Sequence, residues 1–191
     1  MKKRLIWLLS IFYTFTGLFA QQVDLSQRLK FMGKSMDCSM LEMAKYLKTK
    51  GCINEYSNKN AILMTGTFLG YLDCAFVLRE DYGILNFCRV ILPGSYDMSW
   101  TKLESDYNDI IYRYTQKYGV PQISKSDFAG NPYSDYEKLD FVENDKCNYY
   151  CVFFIDGGSI IVSIESSKRV FITYEDSIST DKIEKMQQDE L

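Results

Sequence analysis

Between Trp100 and Gly119 the apolar and aromatic positions recur at Leu103, Tyr107, Ile110, Ile111, Tyr114 and Tyr118. That i, i+3, i+4, i+7 spacing predicts an amphipathic helix with one face on a core. Glu104, Asp106, Asp109, Arg113, Gln116 and Lys117 fall off the stripe and are expected to face water. Gly119 can take the left-handed conformation that ends a helix, and Pro121 bars its resumption. A second, shorter helix is announced by Ser39 and Glu42, spaced as a capping box in which hydroxyl and carboxylate each satisfy an orphan backbone donor. It turns Met40, Met43, Ala44 and Leu47 inward and stops at Gly51, with Lys48 and Lys50 near its negative pole.

The rest of the chain reads mostly as strands. Residues 21–34 form an extended lead-in, with Phe31 as an anchor and Gly33 as a turn. After the polar loop NEYSNKN, the run AILMTGTFLGYLDCAFVL is rich in β-branched and aromatic residues and predicts two strands meeting near Gly70. REDYG (79–83) reads as a turn, and ILNFCRVIL as a strand closed by Pro93-Gly94. Residues 121–135 carry Pro121, Gly130, Asn131 and Pro132 and read as a long loop. YEKLDFVE, CNYYCVFFID, SIIVSIES and RVFITYED then read as four strands, with Asp156-Gly157 as a hairpin signal. Residues 180–191 read as a short, solvated terminal helix.

The halves echo each other. YLKTKG (46–51) answers YTQKYG (114–119), and CAFVL (74–78) answers CVFFI (151–155). The expected fold is therefore α+β: tandem α-β-β-β repeats, about 31–94 and 98–176, the second with an extra strand. Their antiparallel strands would form one continuous sheet or two abutting ones, with the helices on one face.

Lys2, Lys3 and Arg4, then the uncharged apolar run from Leu5 to Phe19, have the pattern of an export signal cut after Ala20. The run is shorter than the roughly 20 residues of a spanning helix. Residues 21–191 are then a single domain, periplasmic or secreted, with no membrane insertion after cleavage. Losing three basic residues makes a chain of formal charge −3 more acidic still, which argues against nucleic acid as a partner.

The chain has six cysteines and no histidine. Without histidine there is no Ser-His-Asp or Cys-His nucleophile and no His-containing zinc site. Cys147 and Cys151 are four apart, but no second close pair completes a Cys₄ site. No cofactor and no metal is expected. Asp73, Asp97, Glu104, Asp156 and Glu165 leave room for paired-carboxylate hydrolysis, the alternative function. An even cysteine count in an exported chain permits disulfides, although Cys74, Cys88 and Cys151 sit in apolar strand runs as small buried hydrophobes would. A three-residue turn at 80–82 would set Cys74 opposite Cys88. The compositional excess is aromatic, 15 Tyr and 12 Phe. On the strand 147–156 one face carries Cys151, Phe153 and Ile155 and the other Tyr150, Val152 and Phe154. If helices cover only one face, Tyr150 and Phe154 become candidate binding residues for a protein or a glycan.

Phe31-x-Gly33, Glu42, Leu47-x-x-Lys50-Gly51, Trp100-x-x-Leu103, Tyr107, Lys117-Tyr118-Gly119-x-Pro121 and Tyr174-x-Asp176 resemble a group of exported Bacteroidetes proteins of unknown function. The helix-then-meander repeat is also similar to the β-lactamase inhibitor protein fold and to a small lipoprotein of outer-membrane assembly. The resemblance implies a disulfide from just after the helix to a strand, and Cys52 and Cys74 match that placement. In the second repeat Val120 stands where the matching cysteine would be. It also implies a protein-binding habit. The function expected is a non-catalytic protein-binding module, inhibitor-like or of envelope assembly.

Overall fold

The computed structural model describes residues 28–94 and 99–189. The export segment expected at 1–20 lies outside them, as does Asp97. A two-strand hairpin comes first, β1 (Lys30–Phe31) and β2 (Lys34–Ser35), turning through Met32 and Gly33 at φ 49° and 95°. The anchor read at Phe31 is fully buried, its ring 4.9 Å from Tyr174 and 6.2 Å from Phe76. Helix α1 (Met40–Thr49) begins at the capping box on Ser39 and Glu42 and buries Met40, Met43, Ala44 and Leu47. Four strands follow: β3 (Ile53–Ser57), β4 (Ala61–Phe68), β5 (Tyr71–Asp81) and β6 (Ile84–Ile91).

Helix α2 (Trp100–Tyr118) opens the second half. The Ser99 hydroxyl caps its start and Gly119, at φ 84°, ends it. Trp100, Leu103, Tyr107, Ile110 and Tyr114 are buried, while Ile111 and Tyr118 pack at the margin of the core. Then come β7 (Ile123–Phe128), helix α3 (Asp135–Glu143), β8 (Cys147–Ile155), β9 (Gly158–Glu165), β10 (Arg169–Asp176) and helix α4 (Ser177–Asp189).

All strands from β3 onward form one eight-stranded antiparallel sheet in the order β3-β4-β5-β6-β10-β9-β8-β7. α1 and α2 are each followed by a four-strand meander, the second interrupted by α3, and the two meanders meet where β6 pairs with β10, Cys88 opposite Tyr174. The expected count is three strands in the first unit and four in the second, with YEKLDFVE among the four. The additional ones, β3 and β7, are the two sheet edges, read from sequence as loops because neither buries a face. Every residue of β3 is exposed, and all of β7 but Phe128. The echo of 74–78 in 151–155 also joins unlike positions, since β5 is the third strand of its meander and β8 the second.

The segment YEKLDFVE, expected as a strand, is helix α3. Ser134 and Glu137 form a second capping box, which fixes a helical start. Val142 is its buried residue, and Phe141 meets Phe128 edge-on at 6.1 Å. α1, α2 and α3 contribute to one core against Met64, Phe76, Val90, Ile172, Val162 and Phe153, which share one face of the sheet. α4 lies against β6, β9 and β10, and its Ile183 is buried apart from that core. It begins earlier than expected, because the Asp176 carboxylate accepts the Ser179 amide at 2.7 Å as a helix cap does.

Candidate functional site

Much of the aromatic surplus fills the core. Trp100, Phe128, Tyr149 and Tyr107 stack edge-to-face beneath α2, and Tyr114 contacts Tyr118, Phe153 and Tyr174. The opposite face of the sheet is covered at its centre by its own side chains. The Arg89 guanidinium lies between the rings of Phe87 and Phe171, 5.1 and 5.2 Å from their centroids. Its Nε donates to the Thr173 hydroxyl at 3.0 Å, and Glu165 pairs with it at 3.5 Å. Apolar side chains come into the open towards the outer strands β7 and β8. Phe154 is 56% exposed and Ile123 43%, Tyr150 is half-buried between Lys125 and Ser163, and Val152 is buried at 9%. The expected exposed trio is therefore one open aromatic, one partly open and one valine shielded by its neighbours.

All six cysteines are free thiols. The Cys52–Cys74 bond expected from the resemblance is not formed here, although the residues are neighbours. The Cys52 sulfur lies over Gly66, the residue paired with Cys74 across the β4–β5 ladder. The rival pairing Cys74–Cys88 is excluded by register. The turn is Tyr82-Gly83, at φ 53° and 72°, and a register shift follows Arg79, so Cys88 faces Leu78. Burial pushes the thiols of Cys74, Cys147 and Cys151 up to about 11, so none is an activated nucleophile. Among the described residues no cluster of three or more Cys, Asp or Glu could hold a metal ion.

The carboxylates singled out for acid–base chemistry are dispersed. Glu104 accepts from Trp100 Nε1 at 3.1 Å and from the Tyr149 hydroxyl at 3.0 Å, a structural tie under α2. Glu165 pairs with Arg89, and Asp73 and Asp156 lie at opposite ends of the sheet's hairpins, in β5 and the β8–β9 turn. A carboxylate pair that sequence reading passed over does converge. Asp106 and Asp109 both accept from the Tyr71 hydroxyl, at 3.2 and 3.1 Å. Lys102 and Arg113 neutralise them one helical turn away, so they clamp β5 to α2 and offer no free acid or base.

Sequence reading also missed a cavity of about 360 Å³ at the end of the molecule where α1 and α2 both terminate. Phe68 and Leu69 from the β4–β5 turn, Met32 from the first hairpin and Tyr118 form apolar walls, and Tyr114 and Tyr174 reach it from below. Lys30, Lys50, Arg113 and Lys117 stand around it, and no carboxylate lines it. Arg113 is engaged by Asp109 at 2.8 Å, which leaves three lysines. Two are held over rings, Lys50 5.3 Å from the centroid of Tyr46 and Lys117 4.7 Å from that of Tyr118. The Tyr46 hydroxyl in turn donates to the Met32 carbonyl at 2.9 Å and so fixes the hairpin against α1. A second cavity, of about 170 Å³, is lined by Tyr71, Lys102, Asp106, Lys168 and Arg169 beside Pro93 and Gly94.

No family model, no curated protein and no solved structure matches the chain. No helix among the described residues is long and apolar enough to cross a membrane.

Proposed function

We propose that this protein is a non-catalytic protein-binding module, exported to the periplasm or beyond, that docks its partner on the outer part of the open sheet face. The observation that carries the reading is Phe154, a large aromatic more than half exposed on a regular strand. It stands beside Ile123, also exposed, and is flanked by the edge strand β7. Rigid aromatics on a flat surface are the residues that concentrate binding energy at interfaces. The hydrolase alternative has little to stand on, because neither cavity brings two unengaged carboxylates together.

The test is retention of envelope proteins by the immobilised wild type against a Tyr150→Ala/Phe154→Ala variant. A partner held by the wild type should be lost by the variant, each side chain contributing about thirty-fold in affinity if it is a hot spot of about 2 kcal/mol. Equal retention by both would reject this face. A Cys52–Cys74 bond, which the resemblance implies, would need these two free thiols to close on each other and give up two protons and two electrons to a disulfide-exchange oxidant. Non-reducing peptide mapping of protein taken from its native compartment reads that bond directly.

A further inference from the structure

The cavity between the ends of α1 and α2 joins an apolar interior to a cationic mouth, and its chemistry is unlike that of the open sheet face. Lys50 and Lys117 also answer the negative poles of the two helices that end there. Lys30 lies on the first hairpin, outside both helices, and brings its charge to the same opening. In a chain of net charge −3, these amines gather around a cavity without a carboxylate.

A second observation comes from inside. The hydroxyls of Tyr114 and Tyr174 are bonded to each other, and both residues line the cavity. Two hydroxyls carry two protons, and their mutual bond uses one. The other proton has no acceptor among the described residues. Burial raises the ionisation of both phenols well above its ordinary value, so both protons stay in place. A buried donor without a partner is costly, and the adjoining cavity is the space from which an acceptor oxygen can come.

From the three lysines, the unspent hydroxyl proton and the aromatic walls, we propose that this cavity is a binding site for a small amphipathic organic anion. Its apolar or aromatic body lies against Phe68, Leu69 and Tyr118, and its carboxylate, sulfonate or phosphate oxygens take the lysines. The volume, about 360 Å³, is at the small end of ligand pockets and suits one compact molecule. The site is separate from the Tyr150–Phe154 face, so either reading can fail alone.

The experiment titrates the full chain with the aryl sulfonate 8-anilinonaphthalene-1-sulfonate, reading fluorescence and calorimetric heat. N-phenyl-1-naphthylamine, its uncharged relative, and inorganic sulfate are run beside it. A single saturable site is expected for the sulfonate, with weaker binding of the amine and none of sulfate. Lys50→Glu/Lys117→Glu, two exposed positions whose fold is checked by circular dichroism, should weaken the sulfonate at least tenfold and leave the amine unchanged. Leu69→Trp, in the turn at the mouth, should block both probes, and Phe154→Ala should block neither. Sulfonate affinity unchanged by the double reversal overturns the proposal. So does loss of the site in Phe154→Ala, which would place the probe on the open sheet face.

Discussion

Arg28 and Asp176, 148 residues apart, make the ion pair whose removal should be felt most. Arg28 Nη1 donates to Asp176 Oδ1 at 2.9 Å and to the Ser179 hydroxyl at 3.1 Å. The Asp176 side chain has no solvent exposure and that of Arg28 only 10%. The pair ties the hairpin segment to the first turn of α4, since the same carboxylate oxygen accepts the Ser179 amide. Breaking one side of a buried pair leaves an uncompensated charge and costs about 3–5 kcal/mol. Arg28 keeps a second contact, to exposed Asp37 at 3.3 Å, so Asp176→Asn should sit at the low end, about 3 kcal/mol. Arg28→Met strands a fully buried carboxylate and should reach about 4 kcal/mol. Replacing both removes both charges, and the asparagine still caps α4, so the double variant should lose only about 1–2 kcal/mol.

Urea unfolding followed by circular dichroism and by fluorescence of Trp100, which is buried, measures all four proteins under two-state conditions. In a domain of this size 3 kcal/mol corresponds to about 10 °C in Tm. The reasoning rests on coupling between the two sites. If the double variant loses the sum of the single losses, the two charges do not see each other and the account of this contact is wrong.

Two further predictions concern packing and alkaline pH. A Cβ at Gly66 would lie 2.7 Å from the Cys52 sulfur, so Gly66→Ala should destabilise by about 1–3 kcal/mol, and Cys52→Ala should relieve most of it; additive effects in urea unfolding would show that the sulfur is not there. Burial, with the Glu104 carboxylate beside it, raises the Tyr149 phenol from 10.0 to about 12. A raised pKa gives stability that is complete below the unfolded value and is lost as pH rises through the folded one. Tyr71, Tyr107, Tyr114 and Tyr174 are raised too, so a distinct part of the tyrosine signal at 295 nm should appear together with loss of circular dichroism between pH 10 and about 12. Complete tyrosine ionisation with the fold intact would contradict their burial.

The elements with one buried face were legible, and those without one were not. The stripe on α2 and the inward set of α1 carry the 3.6 period because one side of each meets the sheet. Alternation in β4, β5, β6 and β9 is equally plain, with Ile62, Met64, Phe76, Leu78 and Val162 turned to the helices. INEYS and ISKSDF show no such period, since both faces of an edge strand here meet water. Their polarity, with Lys125 and the register shift after Asn54, is what keeps an edge from pairing with another chain. YEKLDFVE was misread for a different reason. Tyr136 points away at 81% exposure and Val142 alone is buried, so its apolar residues do not mark a face, and only Ser134 and Glu137 gave the helix away.

The binding surfaces follow the same division. Tyr150 and Phe154 could be named from alternation along one strand, which is local information. The degree to which Arg89 plates over the neighbouring aromatics is set by a cross-strand partner and could not be read there. The cavity is harder still, because its residues come from a hairpin, two helix ends, a turn and the last strand. Each of them has a sufficient local explanation: Gly33 and Leu69 as turn residues, Lys50 and Lys117 as cations at helix ends. The echo of YLKTKG in YTQKYG nonetheless recorded something physical. It marks the two helix C-termini that the sheet order brings to a single opening, so that lysines suited to two separate helix poles also converge on one apolar cavity. The pairing of β6 with β10 at the centre of the sheet joins the two meanders, and so sets the ends of α1 and α2 within one sheet-backed layer.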